Sequence, residues 1–188
     1  MVSEQSCDIA DLVCATERNI SRITAVSGSF AAPCLNEWRY ATKHVACLLK
    51  DPNDAVQREK AIGHLKRAYY DSSDILLTVL ISSLREVFDD VGEYVEVAAG
   101  VIPGFASWSS ACTEAMRLQR DTCADRYSRA VEMDKASDVL IGFLDQANVN
   151  RGNLLAAIVR KRRNERLAVV SVIAAVASAV CALMALFR

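Results

Sequence analysis

Two histidines, His44 and His64, are the side chains best suited to proton transfer, because imidazole gains or loses a proton near neutral pH. Each follows an arginine: Arg39 precedes His44 by five residues, and Arg58 precedes His64 by six. A guanidinium can hold a phosphate through paired hydrogen bonds. An arginine and a histidine at this spacing on one helix could therefore position a phosphodiester and move a proton during its cleavage.

These two spacings resemble the R-x4–6-H motif of HEPN-type ribonucleases. The resemblance implies RNA cleavage with Arg39 and His44 as catalytic residues, usually in a dimer whose two copies of the motif meet. It covers this one motif and not the rest of the chain. The opposing interpretation is that His44 and His64 are partly buried helix residues whose hydrogen bonds are satisfied by neighbours.

A zinc site is the other chemistry that the histidines could support. His44 and Cys47 share a helical face, and Cys34 or His64 could complete the ligand set. Structural zinc takes four nitrogen or sulfur ligands with recognisable paired spacing, and this chain has one such pair. Gly-rich phosphate loops, G-x-S-x-G and H-E-x-x-H are all missing from the sequence. We therefore expect no metal and no cofactor, and favour a protein that is not an enzyme.

The strongest pattern lies near the C-terminal end of the chain. Residues 167–187 form a run of 21 residues without a charge, a proline or a glycine, which as a helix spans about 31 Å. This length matches the hydrocarbon core of a bilayer, so the run predicts a transmembrane helix. The alternative is a fully buried central helix of a soluble bundle. Just before the run lies a basic segment, 160–166, whose cations suit anionic lipid headgroups: Arg160, Lys161, Arg162, Arg163 and Arg166.

Small residues recur every fourth position within the apolar run, at Ser171, Ala175 and Ala179. Small side chains at this spacing let two helices approach closely in lipid. An alanine-rich helix also produces such spacing without any role in packing. We expect this face to pair helices of a homo-oligomer or to contact a partner protein.

Charge and cysteine content restrict the partners and the compartment. Residues 1–159 carry 16 Lys and Arg against 22 Asp and Glu, a net charge of −6, which argues against nucleic acid as the main partner. The seven cysteines are odd in number and include no C-x-x-C pair, which favours a reducing compartment. The N-terminal residues lack a basic segment followed by an apolar run, so we expect no signal peptide. With the basic residues before the span, these features predict a single-pass protein whose N-terminal domain is cytoplasmic.

The remaining chain predicts an all-α fold, because apolar residues recur at helical spacing and no strand-like alternation is sustained. We expect an antiparallel bundle of four to five long helices with a C-terminal transmembrane helix. The expected helices cover 3–26, 33–50, 52–99, 107–146 and 154 onward. Gly63 and Gly92 are points where the third helix could bend or split, and the segment 100–104 is the clearest break.

Apolar stripes predict which helix faces are buried. On the second helix the stripe consists of Leu35, Trp38, Thr42, Val45 and Leu49. The fourth helix is the most polar, so we expect it at the edge of the bundle, and we expect a break at 148–153 after it. The predicted organisation is a bundle domain at 1–159, a basic segment at 160–166 and an anchor at 167–187.

Together these features predict a tail-anchored, cytoplasm-facing bundle. We expect it to act as an assembly scaffold, or as an effector that perturbs the membrane, through oligomerisation at the lipid bilayer. The alternative function is a membrane-tethered HEPN-like ribonuclease.

Overall fold

The computed structural model describes residues 9–121 and 125–186, with the backbone alone at 180 and 182–186. It confirms the all-α class: every regular element in these ranges is a helix. The six helices are α1 (Ile9–Ser27), α2 (Ala32–Leu48), α3 (Ala55–Val91), α4 (Val95–Val101), α5 (Phe105–Arg120) and α6 (Arg126–Leu186).

Helix α3 is the centre of the bundle, and its middle is buried on most sides. Leu76, Leu77, Leu80 and Leu84 are each fully buried there. Residues 75–81 are apolar apart from Thr78, and a helix that is apolar all round must be covered all round. Consecutive long helices alternate in direction, so α1, α3 and α6 run one way while α2 and α5 run the other.

The segment between α3 and α5 is a packed apolar corner. Gly92 ends α3 with a φ of +54°, and Gly104 precedes α5 with a φ of +74°. Both values lie in the region that favours glycine. Ile102 and Trp108 are fully buried beside this turn, and the Trp108 ring lies 5.1 Å from the Phe105 ring. The predicted break at 100–104 is confirmed at residues 102–104, since α4 continues to Val101, and the helix predicted at 52–99 is split at Gly92.

The apolar stripe predicted for α2 is not the face that packs on α3. Only Cys34 and Ala41 are buried on this helix, whereas Leu35 is 38% and Leu49 is 82% exposed. Ala41 packs with Leu65 of α3 instead. Small residues let two helix backbones approach closely, so this contact excludes the larger side chains of the stripe.

Helix α6 differs most from the prediction. It continues without interruption through 148–153, so the expected break there is wrong. Leu140, Ala147, Leu154 and Ile158 are all buried at near-heptad spacing, which keeps one face of α6 against the core. The helix predicted at 107–146 is also wrong, because α5 ends at Arg120 and Asp121 adopts an extended conformation. Since α6 supplies core residues, it does not lie at the edge.

A polar layer, buried except at Arg18, joins α1 to α3 and α6. The Asn19 amide donates to Ser73 Oγ at 3.1 Å, and both side chains are fully buried. Arg18 donates to Asp134 of α6, and the Tyr69 hydroxyl donates to the same carboxylate at 3.2 Å. Partnered polar groups of this kind fix the register of the helices they join, because shifting one helix would leave buried groups unpaired.

Candidate functional site

The two histidines meet between α2 and α3. Their rings stack with centroids 5.4 Å apart and an interplanar angle of 13°. Each histidine is half-buried, and the antiparallel arrangement of α2 and α3 brings residue 44 opposite residue 64. In the sequence His44 and His64 belong to two separate Arg–His motifs, whereas the fold places both histidines in one cluster.

Side chains on both helices hold the two rings in place. His44 Nδ1 lies 2.7 Å from Gln57 Oε1. His64 Nδ1 lies 2.8 Å from Glu37 Oε2 and also 2.8 Å from Arg67 Nη2. A guanidinium only donates and a carboxylate only accepts, so this one nitrogen faces both kinds of partner. Neutral His64 can accept from Arg67 through Nδ1, while protonated His64 donates to Glu37.

Glu37 is the acidic member of the cluster. Its partial burial acts to raise the pKa of its carboxyl group, but hydrogen bonds from Arg67 and His64 outweigh that effect, so the pKa lies below its ordinary value. The Arg67 Nε to Glu37 Oε2 distance is 2.8 Å. The Glu37 carboxylate therefore stays charged at neutral pH.

The two arginines of the Arg–His motifs occupy different positions. Arg39 is exposed, and its guanidinium lies over the Tyr40 ring with Cζ 5.3 Å from the centroid. Tyr40 in turn lies 5.5 Å from the His64 ring, so Arg39 reaches the cluster through an intervening ring. Arg58 donates to the Pro52 carbonyl at 3.1 Å, near the start of α3. Five residues along a helix also turn Arg39 away from the face that carries His44.

The four residues considered as zinc ligands, His44, Cys47, Cys34 and His64, do not form a ligand set. Within the described ranges no group of three or more His, Cys, Asp or Glu side chains could hold a metal ion. Cys47 is exposed, whereas Cys34 is buried with its Sγ 2.9 Å from the Ala31 carbonyl oxygen. Burial, followed by the nearby charge of Asp71, raises the pKa of Cys34 to about 11, so its thiol is poorly suited to act as a ligand or nucleophile.

The second candidate site is the C-terminal half of α6. From Val159 to Ala179 every residue is exposed. Within the apolar run the large side chains are exposed to a similar degree on all sides of the helix, between 58% and 63%: Leu167, Val169, Val170, Val172, Ile173 and Val176. No other part of the described chain covers this segment. The small residues Ser171, Ala175 and Ala179 lie along one side of it.

The described part of the chain contains no helix that meets the length and hydropathy needed to cross a membrane. The predicted anchor at 167–187 lies partly outside that part. Its side chains at 180 and from 182 to 187 are among the residues not described.

The basic segment contacts the bundle at Tyr94. The Arg162 guanidinium lies over the Tyr94 ring with Cζ 5.0 Å from the centroid, and the Tyr94 hydroxyl donates to Glu165 Oε2 at 3.1 Å. Lys161 Nζ lies 3.8 Å from Glu165 Oε1. Tyr94 comes just before α4, so this contact joins the basic segment to the packed corner. Arg160, Arg163 and Arg166 are exposed, as binding to lipid headgroups would require.

Sequence reasoning missed the residues that complete the histidine cluster, namely Glu37, Tyr40, Gln57 and Arg67. A signal was present in the spacing: Glu37, Tyr40 and His44 fall at i, i+3 and i+7, which is one face of a helix. The larger apolar residues of α2 suggested a different buried face. Tyr94 had no comparable signal, because its contact with residues 162 and 165 depends on the tertiary fold.

Comparison of the chain with known proteins identifies no relative. The HEPN-type resemblance consequently rests on the Arg–His spacing alone. No protein family matches the chain, and neither a curated protein nor a solved structure shows significant similarity to it.

Proposed function

We propose that this chain is a tail-anchored membrane protein whose cytoplasm-facing helical bundle acts as an assembly scaffold. The observation that carries the proposal is the even exposure of the apolar side chains of α6 from Leu167 to Val176. A helix that is apolar all round and uncovered by its own chain needs an apolar environment from elsewhere. The full run of 21 uncharged residues has the length for which a bilayer supplies that environment.

The continuity of α6 supports a mechanical role. One helix runs from the bundle core at Met133 and Leu140, through the basic segment and into the apolar run. The contact of Tyr94 with Arg162 and Glu165 braces this helix at the end of the bundle. A scaffold of this kind would hold its bundle at a set distance and orientation from the membrane, because a continuous helix has no hinge there.

Truncation tests the anchor. A chain that ends at Arg166 keeps the Tyr94 contact and the buried Ile158 while losing the whole apolar run. We expect it to be soluble and helical, and to leave the membrane fraction that retains the full chain after a carbonate wash. The proposal is wrong if the truncated chain pellets with membranes as the full chain does.

Self-association through the small-residue side of α6 is the second part of the proposal. Replacing Ala175 and Ala179 by leucine keeps the run apolar but holds neighbouring helices apart. We expect crosslinked oligomers in membranes to decrease. Ala177→Leu is the matched control, because Ala177 points away from this side. Equal oligomer yields in all three proteins would exclude this interface.

The stacked histidines favour one alternative function, the HEPN-like ribonuclease. Both rings and the Glu37–Arg67 pair lie in one cluster, where a proton could pass between His64 and its neighbours. Under this alternative, Arg39→Ala and His44→Ala abolish RNA cleavage while Arg58→Ala has no effect, since Arg58 lies at the helix start. RNA cleavage that is absent from the wild type, or unchanged in the His44 variant, excludes it.

A further inference from the structure

Helix α1 packs on α3, is joined to α6 by the ion pairs of Arg18 with Asp134 and of Arg22 with Asp138, and is shorter than both helices. It runs parallel to α3 and α6, and its last turn ends at Ser27, where Gly28 with a φ of +66° turns the chain away. Helix α3 continues to Val91, and α6 continues far beyond that point. The seam between α3 and α6 is thus covered by α1 along its first part and uncovered after Val26.

An apolar groove occupies this uncovered seam. Its volume is about 480 Å³, within the range of cavities that bind ligands or partner side chains. The walls are largely aliphatic and come from all three helices: Val26, Val87, Ile141, Leu144, Leu154 and Ile158. Leu155 lines it as well and is 45% exposed. Aliphatic surface of this kind favours an apolar occupant.

Negatively charged side chains outnumber positively charged ones around the groove. Both arginines that line the groove form ion pairs: Arg22 Nη1 lies 2.8 Å from Asp138 Oδ1, and Arg151 Nη2 lies 3.7 Å from Asp90 Oδ2. Glu86 also lines the groove, together with Asp145, and neither forms an ion pair with any other described residue. The rim therefore carries surplus negative charge, which favours a cationic occupant and disfavours an anionic lipid headgroup.

We propose that this groove binds an amphipathic helix of a partner protein, with an apolar face flanked by Lys or Arg, laid along the track that α1 leaves empty. The groove extends along α6 from Ile141 to Ile158, so a helix of about 17 residues, about 25 Å long, would follow it. Apolar side chains at i, i+4 and i+7 would enter between α3 and α6, as helices bound in grooves do. The proposal goes beyond membrane anchoring and does not depend on it.

The first experiment uses two designed peptides of 17 residues with the same leucine face. One carries lysine and the other glutamate at the flanking positions. The full chain in nanodiscs of neutral phosphatidylcholine is titrated against each labelled peptide by fluorescence anisotropy, with empty nanodiscs as the blank. We expect the lysine peptide to bind and the glutamate peptide to bind much more weakly. Equal binding of the two peptides would overturn the charge argument.

Variants locate the binding. Leu155→Asp places a charge in the groove and should weaken binding by at least about tenfold, since a buried leucine contact and its desolvation are lost. Val139→Asp is the matched control: Val139 is also on α6 and 50% exposed, but it does not line the groove. Exchanging Glu86 and Asp145 for lysine should reverse the preference between peptides. An unchanged affinity in the Leu155 variant, or an equal loss in the Val139 variant, would refute the proposal.

The same proteins exclude a lipid occupant. Vesicles with 30% phosphatidylserine should bind the wild type and Leu155→Asp equally; a selective loss in the Leu155 variant would mean that the groove takes lipid, and the proposal would be wrong. Circular dichroism confirms that each variant is helical. If the chain is recovered outside the nanodiscs, the anchor proposal fails, and the peptide titration is then made on that soluble fraction.

Discussion

Replacing Ile173 and Val176 together by aspartate should release this protein from membranes. Both positions lie near the middle of the apolar run, and their side chains are 62% and 58% exposed. Neither side chain is buried by the bundle, so the substitutions should leave its folding unchanged. The loss would therefore be in membrane insertion and not in stability of the domain.

The size of the effect follows from the composition of the run. Residues 167–187 include ten Leu, Ile, Val and Phe. At about −0.3 to −0.6 kcal/mol each, they favour insertion by about 3 to 6 kcal/mol. Each aspartate near the helix centre costs about 3 kcal/mol and also removes one apolar contribution, so the pair costs about 6 to 8 kcal/mol. The double substitution should cancel insertion, whereas either single one should weaken it.

The assay is the fraction of protein that stays in the membrane pellet after a carbonate wash. Matched controls are Val139→Asp and Val149→Asp, which make the same change at positions of α6 that are 50% and 82% exposed outside the run. The controls should remain in the pellet with the wild type. If the double variant also remains there, the run is not the anchor; if a control is released, the assay reports loss of folding.

Three further results are expected. An impermeant maleimide should label exposed Cys14 only after cells are opened, because the bundle is predicted to be cytoplasmic. Buried Cys34 should react only after denaturation. Labelling of Cys14 in intact cells would reverse the predicted topology. Glu37→Gln should lower the free energy of unfolding at pH 7, and the difference from wild type should shrink as the pH falls below about 4.5. The reason is that a carboxyl group whose pKa is lowered by folding contributes stability only while it is ionised. A difference that does not change with pH in chemical denaturation would contradict this. Trp108→Ala should cost about 3 to 5 kcal/mol in the same measurement, and half-buried Trp38→Ala clearly less, because Trp108 has no exposed surface; equal losses would contradict the assigned core.

The helices themselves could be predicted from local patterns. Helical periodicity identified the all-α class, and the glycines at 92 and 104 marked real breaks because both adopt positive φ. Thr16 and Ile23, two helical turns apart on one face of α1, are both buried. Such features depend on residues within a few positions of one another, which is why sequence spacing alone identifies them.

The continuity of α6 and the buried face of α2 could not be predicted from local patterns. Asn148 to Asn153 looks like a break, yet α6 runs through it, because Ala147 and Leu154 on either side are held in the core by other helices. The large apolar residues of α2 suggested its buried face, but the contact of Ala41 with α3 leaves Trp38 and Val45 of that stripe only half-buried and Leu35 and Leu49 exposed. In both cases the packing free energy from distant elements exceeds the local preference of the segment.

The sequence by itself determined the all-α class, the acidic body, the basic segment at 160–166 and the uncharged run at 167–187, because each is a property of composition or local spacing. Only the tertiary structure decided that His44 and His64 stack together, that Tyr94 holds the basic segment, and that α1 ends early enough to leave a groove between α3 and α6. These depend on which residues far apart in the chain are brought together by burial of the core, and spacing along the chain does not carry that information.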